Sequence, residues 1–427
     1  MKFGELTLDH ARELDKKDEL SAFRDKFVVA DHNMVYLDGN SLGRLPRDTA
    51  VRIRQVVEKE WGEKLIRGWN EGWIDASVRI GEKLSRIIGA TPDEVIITDA
   101  TSVNLFKLAF AALKYKASKK NIVSDELNFP SDLYILQGVI DALGNNHKLM
   151  LAQSEDGIGM RTDRITELID DDTALVALTH TCFKSSFVYD MTNITRATHD
   201  HNALVLWDLS HSVGAIPVHL HECGADLAVG CTYKYLNGGP GSPAFIFVRK
   251  DLQQKLMQPI WGWLGSDDPF SFKLDYEPAR NITRYQVGTP PVISMLSIEP
   301  GLDLHLEAGI DRLRKKSIMQ TEYLIWLFDQ WLAPLGFELG SPREAENRGS
   351  HISIQHPEAF RICRALIEAE PPDLQVIPDF RTPDNMRLGV APIYTSYKDL
   401  FMAMGRIREV VEKRIYKKYS KERSSVT

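Results

Sequence analysis

Lys234 stands in "GCTYKYLNGGPGSPAF" (residues 230–245), between two tyrosines and just ahead of three glycines and two prolines. It is either a solvated surface charge or a reactive amine. A lysine at the end of an apolar strand can lose hydration, which disfavours its ammonium form. The neutral amine then condenses with an aldehyde to a Schiff base. Its company bears on the choice. Asp208 closes "ALVLWD" with His211 three residues on, Thr101 and Ser102 follow "EVIITDA", and Tyr233 precedes the lysine. Phe129, Pro130, Ser131 and Asp132 follow "NIVSDE", and Thr179 with His180 ends "TALVALTH". An acid could face a protonated ring nitrogen, an aromatic could stack on a flat ligand, and hydroxyls at a helix start could hold an anion. Each has a plainer alternative: Asp208 as a turn residue, His211 as a structural histidine, Thr101, Ser102 and Asp132 as helix caps, Phe129 as core.

All these residues follow short apolar runs, so the elements come next. From about residue 90, β-branched and aromatic runs alternate with helical stretches such as "SVNLFKLAFAALKYKA" and "SDLYILQGVIDALG". Continuous apolar strands separated by helices predict an α/β fold with a mostly parallel sheet covered on both faces. Ligands of such sheets gather at the carboxyl ends of strands, where the candidates lie. Upstream, "VYLDGNSLGRLP" reads as a short strand, and Ala50, Ile53, Val56 and Val57 space an amphipathic helix after Pro46. The proline-rich "GTPPVISM" marks a boundary, one helical run is expected over 301–332, and weaker strands follow at "HISIQ", "LQVIPDF" and "NMRLGVAP". The expected division is an N-terminal segment over 1–60 packing with the small domain, a large domain over 61–300, and a smaller α+β domain over 301–427.

The bulk composition narrows the function. The chain has 427 residues, 43% hydrophobic and 26% charged, with a formal charge of −7. That argues against nucleic acid or an anionic membrane as the main partner. The basic tail from Lys413 to Arg423 is interrupted by acids and reads as a solvated helix end. Cys182, Cys223, Cys231 and Cys363 have no metal or redox spacing, which fits a reducing cytoplasm. With no apolar leader and no long apolar stretch, a cytoplasmic protein is expected. A metal at His219, His221 and Glu222 lacks a further ligand at metal spacing.

Together "YLDGNSLGRLP", "NFPSD", "WDLSHSVG", "TYKYLNGGPG" and "MRLGVAP" resemble the kynureninase family of fold type I pyridoxal 5′-phosphate enzymes, in order over almost the whole chain. The resemblance implies a mostly parallel seven-stranded sheet between helices, and Lys234 as the lysine that binds the cofactor aldehyde. It further implies Asp208 against the pyridine nitrogen, His211 nearby and Phe129 stacked on the ring. Thr101, Ser102, Pro130, Ser131 and Asp132 would hold the phosphate and ring periphery, Thr179 would lie near the ring hydroxyl, and Tyr233 would donate to the phosphate and serve with Lys234 and Asp208 as a catalytic residue, in proton transfer. Trp263 and Thr289 would reach the neighbouring subunit's cofactor, implying a homodimer with a shared site. Arg387 would clamp the substrate carboxylate, with Ser41 and Trp69 lining the aromatic end. The implied activity is hydrolysis of L-kynurenine, and of 3-hydroxykynurenine, to anthranilate or its 3-hydroxy form and L-alanine, in tryptophan catabolism and NAD synthesis. Trp69 and Thr289 replace a histidine and an asparagine of other members, which would favour kynurenine over its 3-hydroxy form. A cysteine desulfurase or selenocysteine lyase is the nearest rival and needs a cysteine on a mobile loop. A non-catalytic scaffold would have no need of Lys234, Asp208 and Arg387 together.

Overall fold

The computed structural model describes residues 3–422. Arg423, the last residue of the basic tail, lies outside them, as do Met1 and Lys2. Seven strands form the large sheet: β2 (Val95–Ile97), β3 (Asn121–Asp125), β4 (Lys148–Ala152), β5 (Thr173–Thr179), β6 (Leu204–Asp208), β7 (Leu227–Gly230) and β8 (Phe245–Val248), after the short β1 (Met34–Tyr36). Their order is β2-β8-β7-β6-β5-β3-β4. Pairing is parallel from β4 across to β7, while β8 is antiparallel to both β7 and β2. Strand β2 therefore runs the same way as β7, and only β8 is reversed.

Successive residues of a strand face opposite sides of a sheet, so each buried strand feeds two cores. On β6, Val205 and Trp207 join one cluster with Ile80 and Leu84 of helix Ala76–Ile88, Ile194 of helix Met191–Asp200, and Ile298 and Leu302 of helix Ile298–Ala308. Leu204 and Leu206 join the other, with Leu105 and Leu108 of helix Thr101–Tyr115 and Leu136 and Val139 of helix Pro130–Ala142. Edge strand β4 is absent from the sequence expectations; its half-exposed "KLMLA" begins on a lysine and lacks a β-branched run.

The C-terminal part carries an antiparallel sheet ordered β12-β13-β10-β9, from β9 (Glu338–Leu339), β10 (His351–Gln355), β12 (Asp379–Arg381) and β13 (Asn385–Gly389). Strand β11 (Gln375–Ile377) pairs instead with β1 in parallel, so the single strand expected in "LQVIPDF" is divided at Pro378 between two sheets. The long run expected over 301–332 is two helices, Ile298–Ala308 and Ile310–Trp331, parted by Gly309 at φ 78°. That left-handed backbone is nearly free for glycine and ends the first helix. After Pro46 the helix forms over Arg47–Gln55 and continues π-wound over Val56–Lys64, with Val56 buried but Val51, Val57 and Trp61 exposed.

The loop after β1 ties these parts together. Gly43 donates its amide to the Tyr233 carbonyl at 2.8 Å, and a Cβ there would lie 2.3 Å from the Lys234 carbonyl and 2.4 Å from Asn237 Nδ2. Gly43→Ala is expected to destabilise the fold by about 1–3 kcal/mol, the usual cost of forced overpacking, read as a lowered denaturant midpoint.

Candidate functional site

Because β2 through β7 share one direction, their carboxyl ends share one edge of the sheet. There the structure gathers Thr101, Ser102, Phe129, Asp132, Thr179, Asp208, His211, Tyr233 and Lys234. Asp208 ends β6, its carbonyl accepting from His180 N–H at 2.8 Å and its Oδ1 from Ser210 N–H at 2.8 Å. Asp132 enters from the first turn of helix Pro130–Ala142 and is buried beside it. Burial, reinforced by the charge of Asp208, holds the Asp132 carboxyl well above the usual carboxylate range. Asp132 is thus biased toward its neutral form beside Asp208.

The Lys234 side chain, half-buried after β7, donates from Nζ to His211 Nε2 at 2.9 Å. Burial, together with Lys234, Arg387 and His351, pushes the His211 imidazole well below its ordinary range, so it is neutral. With Nε2 accepting, the hydrogen-bond network assigns the ring proton to Nδ1, and buried Nδ1 has no partner among the described residues. An unsatisfied buried donor costs about 1–3 kcal/mol, a cost that an acceptor on a bound ligand would remove. Lys234 Nζ also lies 5.9 Å from the Tyr233 ring centroid, and the Tyr233 hydroxyl is raised by neighbouring Cys231 and by burial.

At one end of this group, Ser102 and Ser131 hydroxyls meet at 3.2 Å. They bring together the starts of helices Thr101–Tyr115 and Pro130–Ala142, with Pro130 opening the second. Two helix N-termini, each with unsatisfied first-turn amides and a positive dipole end, suit a phosphate. Phe129 is 42% exposed and held edge-on by Phe183 at 5.1 Å, leaving ring surface free for a flat ligand. Thr179 turns its hydroxyl to the Thr181 carbonyl at 3.0 Å. An orphaned imidazole donor, a carboxyl pair, an amine and a doubled anion site fit pyridoxal 5′-phosphate.

Arg387 arrives from β13, only 1% exposed. Its Nη1 donates to the Phe183 carbonyl at 2.5 Å and its Nη2 to Ser41 Oγ at 3.0 Å. The Ser41 hydroxyl in turn bonds the Asp38 carboxylate, whose pKa burial and the nearby Asp379 push up to about 6. Three further expected residues have these surroundings within one chain. Trp69 packs edge-on against Trp73 at 5.9 Å, Trp263 is 37% exposed against Phe270, and Thr289 is exposed.

Sequence reasoning missed Phe183, Cys231, Asp38, Asp379 and His351. The strand-end rule could have found Phe183, which follows β5. Asp379 becomes visible only through its cross-strand register with Arg387. Cys363, the cysteine a desulfurase would need, is 1% exposed inside helix Ala359–Ile367. His221 pairs with Glu94, while His219 lies 4.0 Å from Glu222.

A family model described as the kynureninase C-terminal domain matches residues 313–407. A kynureninase from Pseudomonas fluorescens is 42% identical over 408 residues, covering 94% of this chain and 95% of that protein. The chain belongs to the kynureninase family. A kynureninase from Burkholderia mallei is 40% identical over 411 residues, covering 95% of this chain and 96% of its own. Among solved structures, a cysteine desulfurase from Escherichia coli has a TM-score of 0.78 at 15% identity, covering 92% of this chain and 99% of its own. Another from Thermococcus onnurineus has 0.75 at 18%, covering 89% and 95%. At such identity these establish the fold, that of fold type I, and leave the chemistry to the site.

Asp38 supplies a pH signature for the fold. A carboxyl that titrates higher folded than unfolded stabilises the fold while protonated, and that contribution is lost as pH rises from about 4 through about 6. Asp38→Asn escapes the loss, so its stability relative to the parent should rise by on the order of 2 kcal/mol across that interval and stay level above it. Urea midpoints from pH 4 to 8 measure this; a constant difference would remove Asp38 as the source.

Proposed function

We propose that the protein is a pyridoxal 5′-phosphate-dependent hydrolase that splits L-kynurenine, and 3-hydroxykynurenine less well, into anthranilate or 3-hydroxyanthranilate and L-alanine. The observation that carries this is one loop touching both working ends. Residues 38–43 bond Arg387 through Ser41 and the lysine loop through Gly43. An α-amino acid held by its carboxylate at Arg387 thereby has its amine and α-carbon directed toward Lys234.

The proposed roles follow from the groups. The bound cofactor supplies the electron sink that carbon–carbon cleavage requires. Asp208 would hold the ring nitrogen, with the Asp132 proton limiting the negative charge buried there. Thr101, Ser102 and Ser131 would take the phosphate with Tyr233, Phe129 would stack on the ring, and Thr179 would lie at the ring's hydroxyl side. Neutral His211 accepts from Lys234 and sets the direction of its amine. Lys234 would hold the cofactor through its amine and, when free, would take the α-proton at Nζ and later return it to the α-carbon. Arg387 fixes the α-carboxylate as a fork. Water adds its hydroxyl to the ketone carbon, which leaves as the anthranilate carboxylate while the β-carbon gains a proton. Trp69 lines the aromatic end and favours the substrate without a ring hydroxyl.

The protein acts as a homodimer in this proposal, with Trp263 and Thr289 serving the neighbouring subunit. Support comes from uncovered apolar surface near them. A cavity of about 440 Å³ is lined by Val56, Trp61, Trp73, Pro291 and Ile293, and Trp61 is 56% exposed. The working division is a segment over 1–60, a cofactor domain over 61–300 and a small domain over 301–427. A cytoplasmic setting is in keeping with four unbridged cysteines. Among the described residues, no helix is long and apolar enough to cross a membrane.

Lys234→Ala should lower kcat by at least about a thousandfold, followed by anthranilate fluorescence on adding kynurenine; retained turnover refutes the assignment. Mixing Lys234→Ala with Trp263→Ala chains should restore activity that neither homodimer has, because one site of the mixed dimer keeps both residues. No recovery after subunit exchange would place Trp263 outside the neighbour's site.

A further inference from the structure

Arg387 is buried and central in its sheet, and a buried guanidinium needs a counter-anion. Its cross-strand register partner on β12 is Asp379. Arg387 Nε donates to Asp379 Oδ2 at 2.5 Å, and Nη2 touches the same oxygen. Arg381, two residues further along β12, adds its Nε to that oxygen at 3.1 Å. Asp379 is only 3% exposed, so this contact is shielded from water. The Nε–Nη2 edge of the guanidinium is therefore occupied by an anion. Apart from the Nη2 contact with Asp379, the hydrogen-bond partners of its Nη1–Nη2 end among the described residues are neutral acceptors, the Phe183 carbonyl and the Ser41 hydroxyl. A planar fork fixed along one edge presents the other in a single orientation.

We propose that Asp379 is a positioning residue that locks the guanidinium of Arg387 along its Nε edge, so that only the Nη1–Nη2 end receives the substrate α-carboxylate. Asp379 never touches the substrate. It defines which side of the fork binds, and Arg381 keeps Asp379 itself in place. The acid also offsets the charge of Arg387, so the buried guanidinium stays in place before substrate arrives. This inference rests on Arg387 as the carboxylate clamp.

The test is a double-mutant cycle on L-kynurenine with holoenzyme. Asp379→Asn keeps the shape but loses the anion, freeing the fork to rotate. KM should rise by about tenfold or more while kcat changes by less than about threefold, the pattern of lost carboxylate binding. Arg387→Gln should raise KM further, and the double variant should be no worse than Arg387→Gln alone, because Asp379 acts only through Arg387. An unchanged KM in Asp379→Asn, a fall in kcat as large as the rise in KM, or additive effects would overturn the inference. If Asp379→Asn does not fold, Asp379→Glu carries the same comparison: it keeps the charge but shifts the fork, so KM should rise with cofactor content unchanged, and an unchanged KM overturns the inference. An unaltered KM in Arg387→Gln instead sinks the clamp itself, which separates the two failures.

Discussion

The contact between Gly43 and the lysine loop is the constraint on which the site depends. The loop of residues 38–43 must lie flat against residues 233–237, with an amide-to-carbonyl bond at 2.8 Å and no room for a side chain between them. That approach lets a segment from the N-terminus, a strand of the C-terminal sheet and the end of β7 meet around one small volume. Asp38 forms a bridge with Gly389 at the end of β13, so the loop holding Ser41 also registers the strand carrying Arg387. Any shift that opened the Gly43 contact would separate Arg387 from Lys234.

The second constraint is electrostatic. Asp208, Asp132, Asp38 and Asp379 face Lys234, Arg387 and Arg381 in largely buried surroundings, and isolated ions there would each cost several kcal/mol. The arrangement meets this in two ways. Where a cation is close, as with Asp379 and Arg387, the ions pair. Where two acids adjoin, as with Asp132 and Asp208, burial and the neighbouring acid push the Asp132 carboxyl up toward its neutral form. His211 obeys the same logic in reverse, kept neutral by burial and by surrounding cations. The strand ends thus hold a neutral imidazole beside a lysine, with the raised carboxyl of Asp132 next to Asp208.

What could be read from the sequence divides along physical lines. Runs such as "ALVLWD" and "TALVALTH" are buried on both faces, so their apolar continuity survives in the one-dimensional sequence, and the groups following them fall at the sheet edge. Long-range geometry is different. The pairing of Asp379 with Arg387 depends on antiparallel register across a turn, and neither residue type nor local spacing encodes it. Edge strand β4 has weak signal because half of its surface faces water. The break at Gly309 was missed because apolar periodicity continues on both sides of it. Trp263 and Thr289 lie exposed on the surface, where local sequence carries no signal for what faces them.

The exposed aromatic and aliphatic surface of Trp61, Trp263, Phe270 and Phe272 follows from the same economy of burial. A helix written with an apolar face, here residues 50–57, finds its partner either within the chain or outside it. Within the chain only Val56 of that face is fully buried. The same stretch leads into the π-wound helix Val56–Lys64 and then to Trp69 and Trp73. Covering it would therefore act on the segment that leads to Trp69 and Trp73. Any surface that covered this face would in this way bear on one continuous element, whose apolar periodicity was legible in the sequence while its exposure was not.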